Sequence, residues 1–319
     1  MSSFKSIHDK QLAPSKVATS VLRAWKHLKE VTVVQLQRDA VYFLHTLFLF
    51  TRSDWKTMMF PVSTFAVVAG PISSFERYLT LLLWIWTTLL QFNCANQAYS
   101  GHEDRINKPW RPVPAGRITS ENTMRLRWIM FAINVAFSYS MGQSVLYTTL
   151  FLTIAEYLYN DMKFSENPFL KNMCNVFGYG GFELGATLIA SPHFELDDIA
   201  IHALILSCAL IFTTIHAQDF PDCEGDRQAG RKTLPILFPE GARVYISAIL
   251  VAWSIALAWY WNIGLVCSGA FTAAGTFIAW RFFVKRDLAS DESTYLIYNG
   301  WLLTAVTLPI NQRLSILSF

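Results

Sequence analysis

Long apolar stretches recur along this sequence and constrain its fold more than any other feature. A helix needs about 20 apolar residues to cross a bilayer, and roughly nine stretches approach that length. They lie near residues 55–75, 77–97, 122–141, 143–159, 172–190, 198–218, 243–261, 264–283 and 294–310. Unbroken runs such as Leu81 to Leu90 predict helices, because the strands of a membrane barrel are shorter and alternate. The expected fold class is all-α, a polytopic membrane protein.

Composition agrees with this fold class. Of the 319 residues, 53% are hydrophobic and 15% are charged, whereas soluble domains carry about 25% charged residues. The net charge of +3 is ordinary for a membrane protein and gives no case for binding nucleic acid. The five cysteines are scattered without CxxC pairs, which argues against a disulfide framework or a zinc site.

The composition of the N-terminal region indicates that it lies outside the membrane, unlike the rest of the chain. Residues 1–38 are polar and mixed in charge and lack the apolar core of a cleavable signal. We expect them to form a cytosolic polar segment, and residues 39–319 to form a single transmembrane domain. Residues 40–51 are apolar but too short to span a bilayer, and we interpret them as a helix lying in the membrane interface.

The distribution of lysine and arginine predicts an orientation. The loops after the second, sixth and eighth predicted spans are basic, whereas the opposite connections are short or acidic. By the positive-inside rule, the N-terminus and these three loops face the cytosol, and the C-terminus faces the lumen. The basic residues are Arg105, Lys108, Arg111, Arg117, Arg227, Arg231, Lys232, Lys285 and Arg286.

The first basic loop also carries a cluster of oxygen-bearing side chains. If the preceding helix continues past the membrane, Asn96, Ser100 and Asp104 are four residues apart and share one face. Glu103 lies one turn from Ser100 on nearly the same side. An amide, a hydroxyl and two carboxylates are ligands that Mg²⁺ accepts. An ordinary capped helix C-terminus is the alternative interpretation.

The loop after the sixth span carries three aspartates. Asp219, Asp222 and Asp226 recur at steps of three and four, so they can line one helical face. Arg227 and Arg231 follow directly. Carboxylates beside cations at a membrane surface are what a metal–diphosphate site requires. A solvated acidic loop is the alternative.

Such a site restricts the chemistry. Ionisation of an allylic diphosphate requires stabilisation of the charge on the leaving group, which metal ions and fixed cations supply without a protein nucleophile. The resulting carbocation must be kept from water, and a lipid-embedded cavity lined by aromatic rings does this.

At these two clusters the sequence resembles the UbiA superfamily of intramembrane prenyltransferases. The second cluster matches that family's DxxDxxxD stretch, GDR and TLP, at Asp219, Asp222, Asp226, Arg227, Thr233, Leu234 and Pro235. The first cluster matches both ends of the family's NxxxDxxxD motif at Asn96 and Asp104, with Ser100 in place of the middle aspartate. Residues 106–116 (INKPWRPVPAG) match the segment that follows this motif, INEPYRPIPSG. With the predicted spans, the resemblance covers nearly the whole chain.

A third and weaker match follows the fourth predicted span, where family members often carry YPxxKR. Tyr159 and Lys163 match it, and the resemblance implies that Lys163 binds diphosphate. A surface lysine is the alternative. The form of the first motif is similar to a fungal branch that includes membrane terpene cyclases. Loss of one aspartate does not abolish the metal site, because Glu103 or a water molecule can complete it.

The resemblance implies about nine transmembrane helices around a central cavity with a cytosolic cap. It implies a terpene cyclase that ionises farnesyl or geranylgeranyl diphosphate with Mg²⁺ in the lipid bilayer. The implied metal ligands are Asn96, Ser100, Glu103, Asp104, Asp219, Asp222 and Asp226. The implied diphosphate ligands are Lys163, Arg111, Arg227 and Arg231, although membrane headgroups are alternative partners for Arg111.

Ionisable residues also lie inside predicted spans, where they are energetically expensive and face a cavity or pair with each other. A cyclase must finally remove a proton from its carbocation, so Glu156 and Glu183 are candidate catalytic residues. A structural hydrogen bond is the alternative for both. We interpret His202 as a core or lipid-edge residue and His216 as an outer partner of the metal site.

Two other functions stay open. One is transfer of the prenyl group to a phenolic, indole or quinone-precursor acceptor, which a requirement for an added acceptor would reveal. The other is a transporter or scaffold whose acidic loops bind cations without consuming diphosphate. The clustering of charge at one face, instead of along a path through the bilayer, argues against the latter. The fungal resemblance favours the endoplasmic reticulum membrane.

Overall fold

Helices make up all the regular structure that is described. The structure is a computed structural model that describes residues 16–228 and 230–319, without the side chains of residues 16–25, 27–31, 102 and 103. Within these ranges no strand is present. The prediction of an all-α fold is therefore confirmed. Residues 1–15 of the predicted polar segment lie outside the described residues.

The described chain contains α-helices joined by short turns. In chain order they are α1 (Lys16–Thr51), α2 (Phe60–Ala69), α3 (Phe75–Tyr99), α4 (Gly101–Asn107), α5 (Ser120–Met141), α6 (Gln143–Asn160), α7 (Pro168–Ala190), α8 (Asp198–Thr214), α9 (Cys223–Gln228), α10 (Leu234–Leu237), α11 (Pro239–Tyr260), α12 (Leu265–Val284), α13 (Leu288–Thr307) and α14 (Ile310–Leu314). Short 3₁₀ segments occupy Arg52–Asp54, Phe164–Glu166 and Ile215–Asp219, and a π-turn occupies Trp55–Met59.

The chain divides into two compact units, residues 1–48 and residues 49–319. The described part of the first unit is α1 up to Phe48, in which Gln35 Nε2 donates a hydrogen bond to Asp39 Oδ1 at 2.9 Å. Val41 and Phe43 are exposed. The interfacial helix predicted at residues 40–51 is thus part of the longer α1, and its placement on a membrane stays a prediction.

Four described helical segments are long and apolar enough to cross a membrane. They are Phe75–Tyr99, Asp198–Asp219, Pro239–Tyr260 and Leu265–Val284. The other predicted spans fall on helices that are shorter or more polar, so the count of nine stays a prediction.

The first predicted span, residues 55–75, is interrupted. Helix α2 ends at Ala69 because Gly70 and Pro71 follow, and proline has no amide hydrogen and clashes with the preceding helical turn. Both the backbone nitrogen and the hydroxyl of Ser73 then donate to the carbonyl oxygen of Ala190 at 3.1 Å. This short loop is therefore tied to the end of α7.

Polar side chains set the starts of several helices by accepting backbone hydrogen bonds in the first turn. These N-cap residues are Ser74, Thr119, Asn167, Asp197 and Asp287. Asp197 Oδ1 also accepts a hydrogen bond from Arg313 Nη2 at 2.8 Å, and this guanidinium donates to the carbonyl oxygens of Val68 and Ala69. We call this arrangement the Arg313 clasp, since it joins the start of α8 to α14 and the end of α2.

Two apolar clusters form the core of the second unit. One includes Ile246 and Trp301 and involves α8, α11, α12 and α13. The other surrounds the fully buried Trp84 of α3, which packs edge-on against Phe182 of α7. A Cβ atom added to Gly185 would lie 2.2 Å from Trp84 Cη2, so α7 approaches the indole ring only because this residue is glycine.

Candidate active site

The first motif follows the end of α3. Helix α3 ends at Tyr99 and α4 begins at Gly101, so the helix is broken at Ser100. The backbone nitrogens of Ser100 and Asp104 nevertheless donate to the carbonyl oxygens of Asn96 and Ser100, both at 2.9 Å. The predicted four-residue spacing along one face is therefore kept across the break.

Asp104 is the carboxylate of this motif whose side chain is described, and it is buried. Only 2% of its surface is exposed. Its Oδ1 accepts a hydrogen bond from Arg111 Nη1 at 2.7 Å, and its Oδ2 accepts one from Ser100 Oγ at 2.8 Å. The proline-rich turn after α4 returns Arg111 to this position. Asn96 Nδ2 donates to Asn160 Oδ1 at 3.3 Å, and the side chain of Glu103 lies outside the description.

The second motif is not a single α-helix, contrary to the arrangement considered from its spacing. Asp219 ends a 3₁₀ segment, and α9 begins only at Cys223. Pro221 interrupts the helical hydrogen bonds between them, because it has no amide hydrogen. The backbone nitrogen of Asp226 still donates to the carbonyl oxygen of Asp222 at 2.9 Å.

Each aspartate of the second motif lies beside a cation. Lys171 Nζ donates to Asp219 Oδ1 at 2.6 Å, and both side chains are buried. Lys108 Nζ lies 3.9 Å from Asp222 Oδ2, and Arg231 Nη1 lies 3.4 Å from Asp226 Oδ1. The other oxygen of Asp226 is buried without a hydrogen-bond partner. A buried carboxylate oxygen in that state is costly unless a ligand satisfies it.

The two motifs contact each other. Lys108, which follows α4, reaches Asp222, which precedes α9. A Cβ atom added to Gly225 would lie 2.1 Å from the side-chain nitrogen of Asn107, so glycine permits this close approach of α9 to α4. The fold thus brings the segments that carry the two motifs into contact.

The predicted diphosphate ligands have different surroundings. Arg111 is buried beside Asp104, and Arg231 is partly buried beside Asp226. Lys163 and Arg227, by contrast, have exposed side chains that pair with Glu166 and Glu224 at 3.4 and 3.2 Å. Their roles stay predictions.

Sequence reasoning missed Lys171. This residue lies in the first turn of α7, just before the apolar stretch predicted to span the membrane from residue 172. A lone lysine at the end of a span usually extends to the membrane surface, so nothing in its spacing indicates burial. Its partner Asp219 is 48 positions further along the chain, which only the fold brings near.

The donor set fits Mg²⁺ when substrate oxygens complete it. No group of three or more His, Cys, Asp or Glu side chains arranged to hold a metal occurs among the described residues. Mg²⁺ is commonly bound by one or two carboxylates together with substrate phosphates and water. The motif aspartates and the free oxygen of Asp226 suit that mode. Burial raises the pKa of the neighbouring Cys223 thiol to about 11, and Mg²⁺ prefers oxygen ligands to a thiol.

A pocket lined mostly by apolar and aromatic side chains lies beside the first motif, between α3, α6 and α7. Its wall includes the rings of Phe92, Tyr159, Tyr179 and Phe182. Asn93 of α3 also lines it, one turn before the motif residue Asn96. The pocket therefore approaches the first motif along α3, although none of the predicted diphosphate ligands is part of its wall.

The two predicted intramembrane glutamates differ in their partners. Glu156 lines the pocket, but its Oε1 accepts a hydrogen bond from Arg127 Nε at 2.6 Å and its Oε2 accepts one from Gln91 Nε2 at 2.7 Å. Glu183 Oε1 accepts a hydrogen bond from Ser207 at 2.7 Å between α7 and α8, and its Oε2 is buried without a partner. Glu183 is not part of the pocket wall.

The two histidines contact aromatic rings. The ring of His202 lies 6.3 Å from that of Tyr260, and the residue is exposed; its position at the lipid edge stays a prediction. The ring of His216 lies 5.3 Å from that of Tyr245, and its Nε2 is buried without a hydrogen-bond partner. Among the described residues, His216 Nε2 therefore makes no hydrogen bond to a motif carboxylate.

Known proteins resemble this chain over most of its length. The UbiA prenyltransferase family matches residues 58–303. Fumagillin beta-trans-bergamotene synthase af520 of Aspergillus fumigatus is 34% identical over 284 residues, which are 88% of this chain and 97% of that protein. Diterpene cyclase eriG of Hericium erinaceus is 30% identical, over 80% of this chain and 84% of that protein.

A solved structure shares the fold. A UbiA homolog from Archaeoglobus fulgidus bound to GPP and Mg²⁺ has a TM-score of 0.59 at 19% identity, over 83% of this chain and 99% of that one. The predicted resemblance to the UbiA superfamily is confirmed by these matches. The chain belongs to the UbiA prenyltransferase family, and it is a membrane enzyme of the UbiA type.

Proposed function

We propose that this protein is a Mg²⁺-dependent intramembrane terpene cyclase. It ionises farnesyl or geranylgeranyl diphosphate, cyclises the allylic cation and releases diphosphate. The observation that carries this proposal is the contact between the two aspartate motifs beside a pocket lined by aromatic rings. The names of the two fungal relatives, a bergamotene synthase and a diterpene cyclase, support cyclisation.

In this mechanism the aspartates of both motifs would hold Mg²⁺. The proposed ligands are Asn96, Ser100, Glu103, Asp104, Asp219, Asp222 and Asp226. When bound, the metal neutralises the charge that develops on the departing diphosphate. The Archaeoglobus fulgidus homolog of the same fold was solved with GPP and Mg²⁺, which supports the choice of this metal.

Basic side chains beside the carboxylates bind the diphosphate. Arg111, Arg231 and Lys171 lie within 3.4 Å of motif carboxylates, so small movements bring them to phosphate oxygens. Lys163 and Arg227 also remain proposed diphosphate ligands, but their exposed side chains must turn towards the motifs to reach the diphosphate. Fixed cations of this kind stabilise the leaving group without becoming bonded to the substrate.

The pocket keeps the cation from water and stabilises it. The faces of Phe92, Tyr159, Tyr179 and Phe182 are candidates to contact the cationic carbons, because aromatic rings attract positive charge. We further propose that about nine helices span the endoplasmic reticulum membrane around a central cavity, with residues 1–38 and the motifs at the cytosolic face. Residues 39–319 would then form the single transmembrane domain.

Acceptor-dependent prenyl transfer is the second candidate. Besides its rings, the pocket wall carries Asn175, whose side-chain nitrogen is buried without a hydrogen-bond partner. An amide in this state suits the hydroxyl of a phenolic acceptor. A product that forms only when an acceptor is added would favour this function.

The test uses membranes that contain the protein, Mg²⁺ and farnesyl or geranylgeranyl diphosphate, without an acceptor. Extracted products are examined by gas chromatography with mass spectrometry, beside Asp222→Asn and a distant control, Asp197→Asn. A cyclic hydrocarbon that is lost in Asp222→Asn and kept in Asp197→Asn supports the proposal. Intact substrate in the wild-type protein at both chain lengths refutes acceptor-free cyclisation of these substrates.

A further inference from the structure

Asp54 places a carboxylate in the wall of the aromatic pocket. It ends the 3₁₀ segment Arg52–Asp54, ahead of α2, and lines the pocket together with Asn93, Tyr159 and Tyr179. Asn93 Nδ2 donates a hydrogen bond to Asp54 Oδ2 at 2.9 Å. This bond fixes the carboxylate against α3, one turn before Asn96.

The surroundings of Asp54 differ from those of the motif aspartates. Asp104 and Asp219 each pair directly with a cation, at 2.7 and 2.6 Å. No described lysine or arginine makes an ion pair of this kind with Asp54. Burial raises the pKa of this carboxyl, although the more distant charge of Arg111 acts in the opposite direction. A carboxylate in such a place is a better proton acceptor than a solvated one.

The two glutamates predicted for proton removal are less suited to it. Both oxygens of Glu156 are occupied, one by Arg127 and one by Gln91. Glu183 has a free oxygen, but it lies at the contact between α7 and α8 and outside the pocket wall. Asp54 combines a position in the wall with the absence of a bonded cation among the described residues.

We propose that Asp54 accepts the proton whose loss ends the cyclisation, an inference that rests on the proposed function. The departing diphosphate takes the electron pair of the allylic C–O bond. A C–H bond next to the final cationic carbon then breaks, its electron pair forms the new C=C bond, and the proton binds a carboxylate oxygen of Asp54. The proton later passes to water, so substrate gives hydrocarbon, diphosphate and one proton.

The test separates ionisation from proton loss. Full-length wild-type protein, Asp54→Asn and Asp54→Glu are incubated in membranes with Mg²⁺ and the prenyl diphosphate, and released diphosphate is measured beside the extracted products. Asp54→Asn keeps the shape and the hydrogen-bonding capacity of the side chain but removes its basicity. We expect diphosphate release to continue, while the wild-type hydrocarbon formed per diphosphate falls by about tenfold or more in favour of prenyl alcohols and other hydrocarbons. Asp54→Glu keeps the carboxylate and should recover part of the yield.

The outcomes are distinct. An unchanged product ratio in Asp54→Asn overturns the role of Asp54, and so does complete loss of diphosphate release from folded protein, since Asp54 would then act before proton loss. A changed ratio in Glu183→Gln or Glu156→Gln, with none in Asp54→Asn, assigns the proton to that glutamate. If Asp54→Asn does not fold, Asp54→Glu provides the test. Its longer side chain displaces the carboxylate, so the hydrocarbon formed per diphosphate must change, and an unchanged value overturns the role of Asp54. Wild-type protein that releases no diphosphate refutes the proposed function itself, and with it this role.

Discussion

Lys163 lies in the short connection between α6 and α7, Lys171 lies in the first turn of α7, and the two contact very different partners. Lys171 is buried against Asp219, whereas Lys163 is exposed beside Glu166. We expect Lys171→Met to lower kcat/KM for prenyl diphosphate by about tenfold or more, equivalent to about 1.4 kcal/mol. Lys163→Met should lower it less than Lys171→Met does, because the exposed side chain of Lys163 must first turn towards the motifs to reach the diphosphate.

Initial rates of diphosphate release at several substrate concentrations measure both variants. Thermal unfolding of each variant separates a lost ligand from a destabilised fold. A larger loss for Lys163→Met than for Lys171→Met would contradict this ranking and return the diphosphate role to the residue that the family motif indicates.

Gly185 is a second single residue on which local packing depends. In Gly185→Ala the new methyl group collides with the Trp84 ring, whose Nε1 is held by Ser138 and Thr149 at 3.1 Å. Overpacking of this kind costs about 1–3 kcal/mol. We expect a lower free energy of unfolding, measured by denaturation in detergent.

Gly178→Ala in the same helix is the matched control for Gly185→Ala. A Cβ atom there meets nothing within 4 Å, and alanine favours helix over glycine by about 1 kcal/mol. Equal stability changes in the two variants would show that contact with Trp84 does not limit this position.

At the residue scale, the sequence predicts side chains that belong to a repeated spacing and misses those that stand alone. Asn96, Asp104 and Asp219 belong to motifs, so their spacing in the sequence is enough to identify them as candidate ligands. Lys171 and Asp54 are single charges beside apolar stretches, and their surroundings depend on partners distant in the sequence. No local pattern distinguishes such residues from surface charges.

At the scale of helices, a buried ion pair joins α5 to α6. Arg127 Nε donates to Glu156 Oε1 at 2.6 Å, and the same guanidinium reaches Asp161 at 2.7 Å. Removing one partner of a buried pair costs about 3–5 kcal/mol, because the other charge remains buried. We expect Arg127→Met to lower the free energy of unfolding by an amount of this order.

The exposed pair on the same helix provides the control for Arg127→Met. Arg125 pairs with Glu121 at 2.6 Å, but both side chains are mostly exposed. Arg125→Met should therefore change stability by less than about 1 kcal/mol. The double variant Arg127→Met/Glu156→Leu should lose less than the sum of its single changes. Strict additivity would argue against a direct interaction between the two charges.

The Arg313 clasp predicts a dependence on pH. The hydrogen bond from Arg313 holds the pKa of Asp197 below its usual value. A depressed pKa stabilises the fold above the unfolded value of about 3.9, and this contribution is lost as pH falls through the folded value. The unfolding temperature of the wild type should therefore fall more steeply below about pH 4 than that of Asp197→Asn.

Asparagine at this position still accepts the backbone hydrogen bond of the N-cap, so the comparison isolates the charge. Parallel pH curves for the two proteins would mean that the clasp contributes no electrostatic stability.

The helices were largely predictable from apolar run length, and their interruptions less so. Gly70 and Pro71 mark the end of α2, yet a continuous apolar run on both sides favours one long span. Pro221 likewise divides the second motif, although the spacing of its aspartates alone favours a single helix. Spacing reports which residues share a direction, whereas the hydrogen bonds that proline removes decide where a helix stops.

For the whole molecule, the proposed metal dependence makes a direct prediction. Removal of divalent cations with EDTA should stop diphosphate release, and added Mg²⁺ should restore it. Ca²⁺ should restore less, because it prefers longer and more numerous oxygen contacts than Mg²⁺. Diphosphate release is followed in membranes under each condition. Full activity in EDTA would contradict the assignment of the aspartates as metal ligands.

The family and the meeting of the two motifs follow from the sequence, because both motifs lie in basic loops expected on one side of the membrane. The contact between α4 and α9, through Asn107 and Gly225, agrees with the expected meeting of the two motifs. The shape of the pocket was not predictable, since its wall combines side chains from α3, α6, α7 and the turn before α2. Such a set is defined only by helix packing.

The pairing of each motif aspartate with a cation of the chain has a consequence for how ligands bind. An aspartate that turns to a metal ion releases its lysine or arginine, and that released cation is then available to a phosphate oxygen. Metal and diphosphate should therefore strengthen each other's binding. By thermodynamic reciprocity the factor is the same in both directions. The metal and the diphosphate can then each bind weakly alone and still bind tightly together. Ionisation of the prenyl diphosphate would therefore be confined to the complex that contains both.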